Sequence, residues 1–227
     1  MVDSAEPIEL LKPASRFVGR GGEKLEAALD YFAVDVFGKV AIDVGASTGG
    51  FTDCLLQRGA STVVALDVGH GQLDARLRGD PRVRCVERTN VRHADVAALG
   101  GPFPVVVVDV SFISIETIAP VVAGTLAAAR ADLVALVKPQ FEASRADAAR
   151  GRGVIRDPEV WRGALVRALS ALAAQAATMM GVMVSPLRGA EGNVEFLVHA
   201  LAHAGPADGR AVTAAIEGAV ASAGQKV

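Results

Sequence analysis

The chain has 227 residues, of which 51% are hydrophobic and 21% are charged. This length and composition favour one domain with a buried core, and they exclude collagen-like, disordered and coiled-coil proteins. The chain carries 23 Lys and Arg against 25 Asp and Glu, for a net charge of -2. A basic field over the whole chain is therefore absent, and any contact with nucleic acid must come from a local patch.

The two cysteines, Cys54 and Cys85, lie far apart and form neither a Cys-x-x-Cys motif nor a group with a nearby histidine pair. We expect two small core residues, no disulfide framework and no metal site, as in a protein of a reducing, cytoplasmic compartment. The N-terminus lacks the basic and then apolar order of a signal peptide. The most apolar stretch, residues 165–184, contains Arg, Ser, Gln and Gly, which favours a buried helix over a membrane span. We therefore expect no membrane segment.

Residues 1–15 contain prolines and show no periodicity, so we expect an arm or linker there and one domain over residues 16–227. Within that domain, β-rich apolar runs alternate with helical patterns. In chain order, the predicted elements are helix Glu23–Phe32, strand Val40–Val44, helix Gly50–Gln57, strand Thr62–Asp67, strand Val83–Glu87, strand Val105–Val110, helix Glu116–Ala129, strand Leu133–Val137, helix Pro158–Met179, strand Val182–Pro186, strand Val194–Leu201 and helix Gly209–Ala223. The alternation predicts an α/β fold that is Rossmann-like, with a mostly parallel seven-stranded sheet and helices on both faces.

Two features stand out within this pattern. The run of four valines at 105–108 is apolar on both faces, as expected of a central strand. The segment 140–156 instead carries Arg145, Arg150, Arg152 and Arg156 with two glycines. This segment is either a solvated surface loop or a lid that contacts phosphates.

A glycine-rich turn follows the first predicted strand, at residues 43–51, and Asp67 ends the second strand about twenty residues on. Ser47 stands where a dinucleotide-binding turn has its middle glycine, and Phe51-Thr52 stands where a phosphate-binding loop has Lys-Ser. A nucleoside cofactor without phosphates fits better, namely S-adenosylmethionine with Asp67 at its ribose and residues 89–90 at its adenine. The candidate cofactor-binding residues are Gly45, Ala46, Ser47, Thr48, Gly49, Gly50, Phe51, Asp67, Val68, Thr89, Asn90 and Asp109.

Four charged residues are the catalytic candidates. Asp109 and Lys138 each end one of two consecutive predicted strands, so they should meet at the carboxyl edge of the sheet, either as a structural salt bridge or as a functional pair. Glu195 and Lys24 interrupt otherwise hydrophobic patterns. Together, the four would suit methyl transfer to a ribose hydroxyl, because burial and a neighbouring cation disfavour the protonated form of a lysine. Our hypothesis makes Lys138 the base, Asp109 and Glu195 its orienting partners, and Lys24 an electrostatic aid near the acceptor.

Several sequence blocks resemble the TlyA family, whose methyltransferase domain belongs with the FtsJ-type ribose methyltransferases. These blocks are RGGEKL at 20–25, DVGASTGGFTD at 43–53, VDVSFIS at 108–114, KPQFE at 138–142 and EGNVE at 191–195. The resemblance implies S-adenosylmethionine-dependent 2'-O-methylation of cytidine, with ribosomal RNA or ribosomal subunits as the partner. It also implies that Lys24, Asp109, Lys138 and Glu195 occupy the family's Lys-Asp-Lys-Glu catalytic positions. Family members usually carry an N-terminal RNA-binding module, where this chain shows only a short arm.

Alternative interpretations remain open from the residues alone. Methylation of a base would need a different segment after the fourth strand or a cysteine nucleophile, and a binding factor without catalytic activity could share the fold. Members of the family have been labelled haemolysins, but the chain shows no lytic amphipathic helix. We interpret His199 and His203 as surface or hydrogen-bonded histidines rather than metal ligands, and Trp161 as a core residue. No oligomeric state is predicted.

Overall fold

The computed structural model describes residues 16–144, 147, 153–205 and 208–225. The strands are β1 (Val40–Val44), β2 (Thr62–Leu66), β3 (Val83–Val86), β4 (Phe103–Val108), β5 (Ala127–Val137), β6 (Thr178–Val184) and β7 (Phe196–Leu201). The helices are α1 (Gly21–Tyr31), α2 (Gly50–Gln57), α3 (Ala75–Arg78), α4 (Val96–Leu99), α5 (Ile115–Val122), α6 (Pro139–Glu142), α7 (Pro158–Ala173) and α8 (Gly209–Gly224). Among the described residues, the seven strands form a single sheet in the order β3-β2-β1-β4-β5-β7-β6. Only β7 runs antiparallel to its neighbours, which confirms the predicted Rossmann-like, mostly parallel sheet.

The valine run forms the buried centre of this sheet, as predicted. Val105 to Val108 are all 0% exposed, and their side chains alternate between the two faces. On one face they join Leu25 and Leu29 of α1 and the apolar residues of α2. On the other face they join residues of α5, α7 and α8, so the sheet lies between two helical layers.

The helix predicted over Glu116–Ala129 is too long at its C-terminal end. Helix α5 ends at Val122, and Ala127 already belongs to β5, where it pairs with Phe103 of β4. An alanine-rich run favours helix locally, but pairing within the sheet overrides that preference. Strand β5 therefore begins six residues before the predicted start at Leu133.

The helix predicted over Pro158–Met179 is also too long. Helix α7 ends at Ala173, and the chain turns at Ala176, whose φ is 58°. Residues from Thr178 onward pair with β7 as part of the edge strand β6. The same apolar residues that suggested a long buried helix are here divided between a helix and a strand.

Two predictions fall partly or wholly outside the described residues. The arm at 1–15 and the arginines Arg145, Arg150 and Arg152 are not among them, so the domain boundary and the lid remain predictions. Of the basic segment, α6 forms the beginning, and Arg156 is exposed.

Trp161 and His199 have the structural roles that we expected. Trp161 is 1% exposed and donates its indole N–H to the backbone oxygen of Ile155 at 3.1 Å. His199 is 6% exposed, with Nε2 3.0 Å from Oδ1 of Asp132. His203 lies at the surface.

The cysteines are not placed for nucleophilic attack. Cys54 is fully buried, and burial raises the pKa of its thiol to about 12. Cys85 is partly buried, and the pKa of its thiol is raised by the same cause. Both therefore favour the unreactive thiol form.

The strand order also locates a crevice. The chain leaves β1 toward β2 and β3, then crosses back so that β4 lies on the other side of β1. Connections therefore diverge at the carboxyl ends of β1 and β4, where ligands bind in open α/β sheets.

Candidate active site

The glycine-rich turn lies at the end of β1 in close contact with the end of β4. The backbone N–H groups of Gly45 and Ala46 donate to the oxygen of Leu66 at 2.8 and 3.1 Å. Gly45 has a φ of 88°, and a Cβ atom on it would lie 2.3 Å from the backbone oxygen of Asp109. A side chain at position 45 is therefore excluded, which keeps the floor of the crevice open.

Asp67 lies beside this turn, as its position at the end of β2 predicted. Its Oδ2 accepts the backbone N–H of Ser47 at 2.8 Å, and its Oδ1 accepts that of Gly69 at 2.6 Å. These contacts hold the carboxylate at the rim of the crevice. Carboxylate oxygens have further lone pairs that can accept hydroxyl donors.

Asp43 is a residue that the sequence reasoning missed. It is 0% exposed, and its Oδ2 accepts the Thr52 hydroxyl at 2.7 Å, while its Oδ1 has no hydrogen-bond partner within the described residues. Burial is the main cause that raises the pKa of Asp43 to about 7. The sequence could have indicated Asp43, because it is an acidic residue within an apolar strand directly before the glycine-rich turn. The bond to Thr52 ties β1 to α2 across the turn.

Two adjoining cavities lie over the turn and contain most of the predicted cofactor residues. One, of about 480 Å³, is lined by Asp67, Val68, Thr89 and Asn90. The other, of about 180 Å³, is lined by Ala46, Thr48, Gly50 and Phe51. Both are also lined by Gly45, Ser47 and Asp109.

Gly49 is the exception among these predicted residues, because it lines neither cavity. It precedes α2 with a φ of 100°, and a Cβ atom there would lie 2.2 Å from a methyl group of Leu77. Its role is to shape the turn and to let α3 pack against it.

A third cavity, of about 550 Å³, is lined by all four charged candidates, and we call it the acceptor cavity. Lys138 Nζ lies 2.6 Å from Asp109 Oδ1 and donates to Ser111 Oγ at 3.0 Å. Lys24 Nζ donates to Glu195 Oε2 at 2.5 Å. The structure therefore brings the four residues together as two adjacent ion pairs.

One pairing differs from the hypothesis. Glu195 contacts Lys24 rather than Lys138, and this pair is more enclosed, with side-chain exposures of 3% and 8%. The cause is the position of α1, whose first turn places Lys24 over the start of β7. Ser111, which the sequence reasoning missed, is the second contact of Lys138.

Two phenylalanines, also missed, form an apolar wall of the acceptor cavity. Phe112 is 91% exposed with a φ of 64°, and its ring lies 5.1 Å from that of Phe141. Lys138 Nζ lies 5.9 Å from the centre of the Phe141 ring. Their positions in the sequence could have identified them, because Phe112 stands three residues after Asp109 and Phe141 stands three residues after Lys138.

Glu142 connects the two segments that carry this wall. Its Oε1 accepts the backbone N–H of Ile115, at the start of α5, at 2.7 Å. Its backbone oxygen accepts two N–H groups of Arg167, at 3.1 and 2.8 Å. Burial raises the pKa of Glu142 to about 7. The segments after β4 and β5 are thus held together behind the cavity.

Comparisons with known proteins agree with this architecture. The model of the FtsJ-like methyltransferase family matches residues 17–201. The 16S/23S rRNA (cytidine-2'-O)-methyltransferase TlyA of Mycobacterium tuberculosis is 47% identical over 186 residues, which cover 80% of this chain and 67% of that protein. Hemolysin A of Brachyspira hyodysenteriae is 43% identical over 198 residues, covering 87% and 80%. The solved structure of a candidate hemolysin from Streptococcus thermophilus superposes with a TM-score of 0.88 at 40% identity, covering 94% of this chain and 76% of that one.

The name hemolysin raises the question of a membrane. Within the described part of the chain, no helix is both long and apolar enough to cross one. The match to the family model covers most of the chain, including the glycine turn and all four charged candidates. The chain therefore belongs to the FtsJ-like methyltransferase family and is a methyltransferase that uses S-adenosylmethionine as its cofactor.

Proposed function

We propose that this enzyme methylates the ribose 2'-hydroxyl of a cytidine in ribosomal RNA. The observation that carries the proposal is the position of the Lys138–Asp109 pair, which lines both the smaller cavity over the glycine turn and the acceptor cavity. A proton acceptor at that junction is what transfer to a hydroxyl requires. The 47% identical relative is named for cytidine-2'-O-methylation of 16S and 23S rRNA, which supports the same substrate class here.

The residues over the glycine turn fit the cofactor. Asp67 would accept the ribose hydroxyls, and Thr89 and Asn90 would border the adenine in the larger cavity. The methionine portion would extend into the smaller cavity, along a backbone that Gly45 keeps free of side chains. When bound, S-adenosylmethionine supplies a methyl group on a sulfonium sulfur, which leaves as a neutral thioether.

The proposed chemistry depends on Lys138. After its ammonium has released a proton to solvent, the neutral Nζ of Lys138 would take the proton of the 2'-hydroxyl as that oxygen bonds to the methyl carbon. The bound cofactor would supply the methyl group and retain the electron pair of the broken carbon–sulfur bond. Asp109 and Ser111 hold Nζ in position through contacts of 2.6 and 3.0 Å. Positioning and proton transfer are the contributions of the protein.

Lys24 and Glu195 would act on the acceptor side. Both are almost enclosed, and together they line the acceptor cavity but neither of the two cavities over the glycine turn. A buried ion pair resists rearrangement because separating it would leave uncompensated charge. We infer that the pair holds the acceptor ribose in line with the methyl group, with Lys24 providing positive charge near the reacting oxygen.

Two lysine variants test this function. Lys138→Met should reduce incorporation of labelled methyl into ribosomal subunits by roughly 100- to 10,000-fold. Lys39→Met is the matched control, because Lys39 also pairs with an aspartate, Asp132 at 3.2 Å, but lines none of the three cavities. The control should retain the parent rate.

The product identifies the reaction. A 2'-O-methyl group makes the adjacent RNA linkage resistant to alkali, whereas a methylated base does not. Labelled, alkali-resistant dinucleotides that contain cytidine are therefore expected. Label on a base would refute ribose methylation, the absence of label would favour a non-catalytic binding factor, and full activity of Lys138→Met would refute the assigned base.

A further inference from the structure

Gln140 occupies an unusual position in the acceptor cavity. It lies in α6, two residues after Lys138, and it lines the acceptor cavity but neither of the cofactor cavities. Its Oε1 is buried and has no hydrogen-bond partner among the described residues. Its Nε2 likewise makes no hydrogen bond within that part of the chain. Within the described part of the chain, the carboxamide therefore has no protein partner, and its oxygen is the buried atom.

The buried polar side chains of this cavity are, in contrast, engaged with protein partners. Lys24 and Glu195 bind each other, and Asn193 accepts the N–H of Ile155 at 2.8 Å and donates to the oxygen of Gly153 at 2.8 Å. A buried amide oxygen without a hydrogen-bond donor destabilises the folded chain. Such a group is tolerated where a ligand completes its hydrogen bonds, and the ligand of this cavity is the acceptor nucleotide.

We propose that the Gln140 carboxamide binds the base of the acceptor cytidine, an assignment that rests on the proposed function. Oε1 accepts a hydrogen bond from the exocyclic 4-amino group, and Nε2 donates one to the ring nitrogen N3. A glutamine amide presents an acceptor beside a donor, which matches the donor and acceptor side by side on cytosine. Enzymes that act on a nucleotide taken out of the stack read its base through this edge.

The position of Gln140 along the chain suits this role. Lys138 and Gln140 line the same cavity and stand two residues apart in the chain. In the proposed function Lys138 would face the ribose oxygen, and the base is attached to the neighbouring ribose carbon, so Gln140 would be within reach of it. The rings of Phe112 and Phe141 close the same side of the cavity.

A double-mutant cycle between Gln140 and the 4-amino group tests the proposal. The substrate is a ribosomal RNA fragment with the mapped target cytidine, compared with the same fragment carrying zebularine, the cytidine analogue without the 4-amino group. The enzymes are the parent, Gln140→Met as an unbranched apolar replacement, and Gln225→Met as an exposed control at the end of α8.

For the parent, zebularine should lower kcat/KM by roughly 3- to 10-fold, as expected for loss of one hydrogen bond. Gln140→Met should show a loss at least as large with cytidine RNA, because it removes both hydrogen bonds, and no further loss with zebularine RNA. Its KM for S-adenosylmethionine should match the parent, and its Tm should equal or exceed the parent value because a buried amide oxygen without a partner is removed. Gln225→Met should behave as the parent in every comparison.

If zebularine lowers kcat/KM by the same factor for Gln140→Met as for the parent, the two losses are independent and the assignment is overturned. Unchanged activity of Gln140→Met on cytidine RNA, or a lowered Tm, would also overturn it, the latter by indicating a structural role. A parent that methylates no cytidine ribose would overturn both this assignment and the proposed function. A parent that is active but shows no coupling overturns only the role of Gln140.

Discussion

The buried carboxyl of Asp43 leads to a quantitative prediction for the variant Asp43→Asn. Its Oδ2 accepts the Thr52 hydroxyl, and the oxygen of an asparagine amide can accept the same bond. The substitution therefore keeps the contact between β1 and α2 while it removes the ionisable group. What changes is the dependence of stability on pH.

The magnitude follows from the shifted ionisation. Burial raises the pKa of Asp43 from 3.8 to about 7, so between these values the folded chain holds a proton that the unfolded chain has released. The free energy of unfolding therefore falls as pH rises through this window, and the loss levels off above about pH 7. Because one pKa unit corresponds to about 1.4 kcal/mol, Asp43 should contribute a loss of about 2 kcal/mol between about pH 5.5 and pH 8.5.

Urea unfolding of the cofactor-free protein at these two pH values measures the effect. Between the lower and the higher pH, the free energy of unfolding of the parent should fall by about 2 kcal/mol more than that of Asp43→Asn. Glu142, whose pKa burial also raises to about 7, contributes equally to both proteins and cancels in the comparison. The exposed Glu23→Gln variant is the control and should keep the parent slope. An identical pH dependence in parent and Asp43→Asn would refute the assignment of a buried acid.

Two further pairs of variants test the geometry of the site. Gly45→Ala should lower stability by more than about 2 kcal/mol in urea unfolding and abolish cofactor binding in calorimetry, because its Cβ would lie 2.3 Å from the Asp109 oxygen. Gly38→Ala, with a φ of 69° and free space around it, should lose only about 1–2 kcal/mol, and equal losses at both positions would contradict the steric argument. Lys24→Met should cost about 3–5 kcal/mol by leaving Glu195 buried and unpaired, and the double variant Lys24→Met/Glu195→Leu should recover most of it. Failure of the double variant to recover would show that the loss comes from packing rather than from charge.

Local patterns were sufficient for the fold class and for much of the site. A strand that is apolar on both faces, such as the four valines of β4, is typical of the centre of a parallel sheet covered by helices. Parallel strands place their carboxyl ends at one edge, so Asp109 and Lys138 could be expected to meet before any distance was known. The glycine turn and Asp67 followed from the same rule.

Other features depended on contacts between distant parts of the chain. Alanine-rich residues at 127–129 favour helix by themselves, and only pairing with β4 makes them strand. The packing of α1 near the start of β7 decided that Lys24 is the partner of Glu195. The buried oxygen of Gln140 has no partner because no described donor lies within hydrogen-bond distance of it. Sequence by itself determined which residue types stand at the ends of the strands, because the hydrophobic period and the glycine turn are local. The tertiary structure alone decided which charges pair and which polar atoms stay unpaired, because burial and partnership are properties of segments brought together from far along the chain.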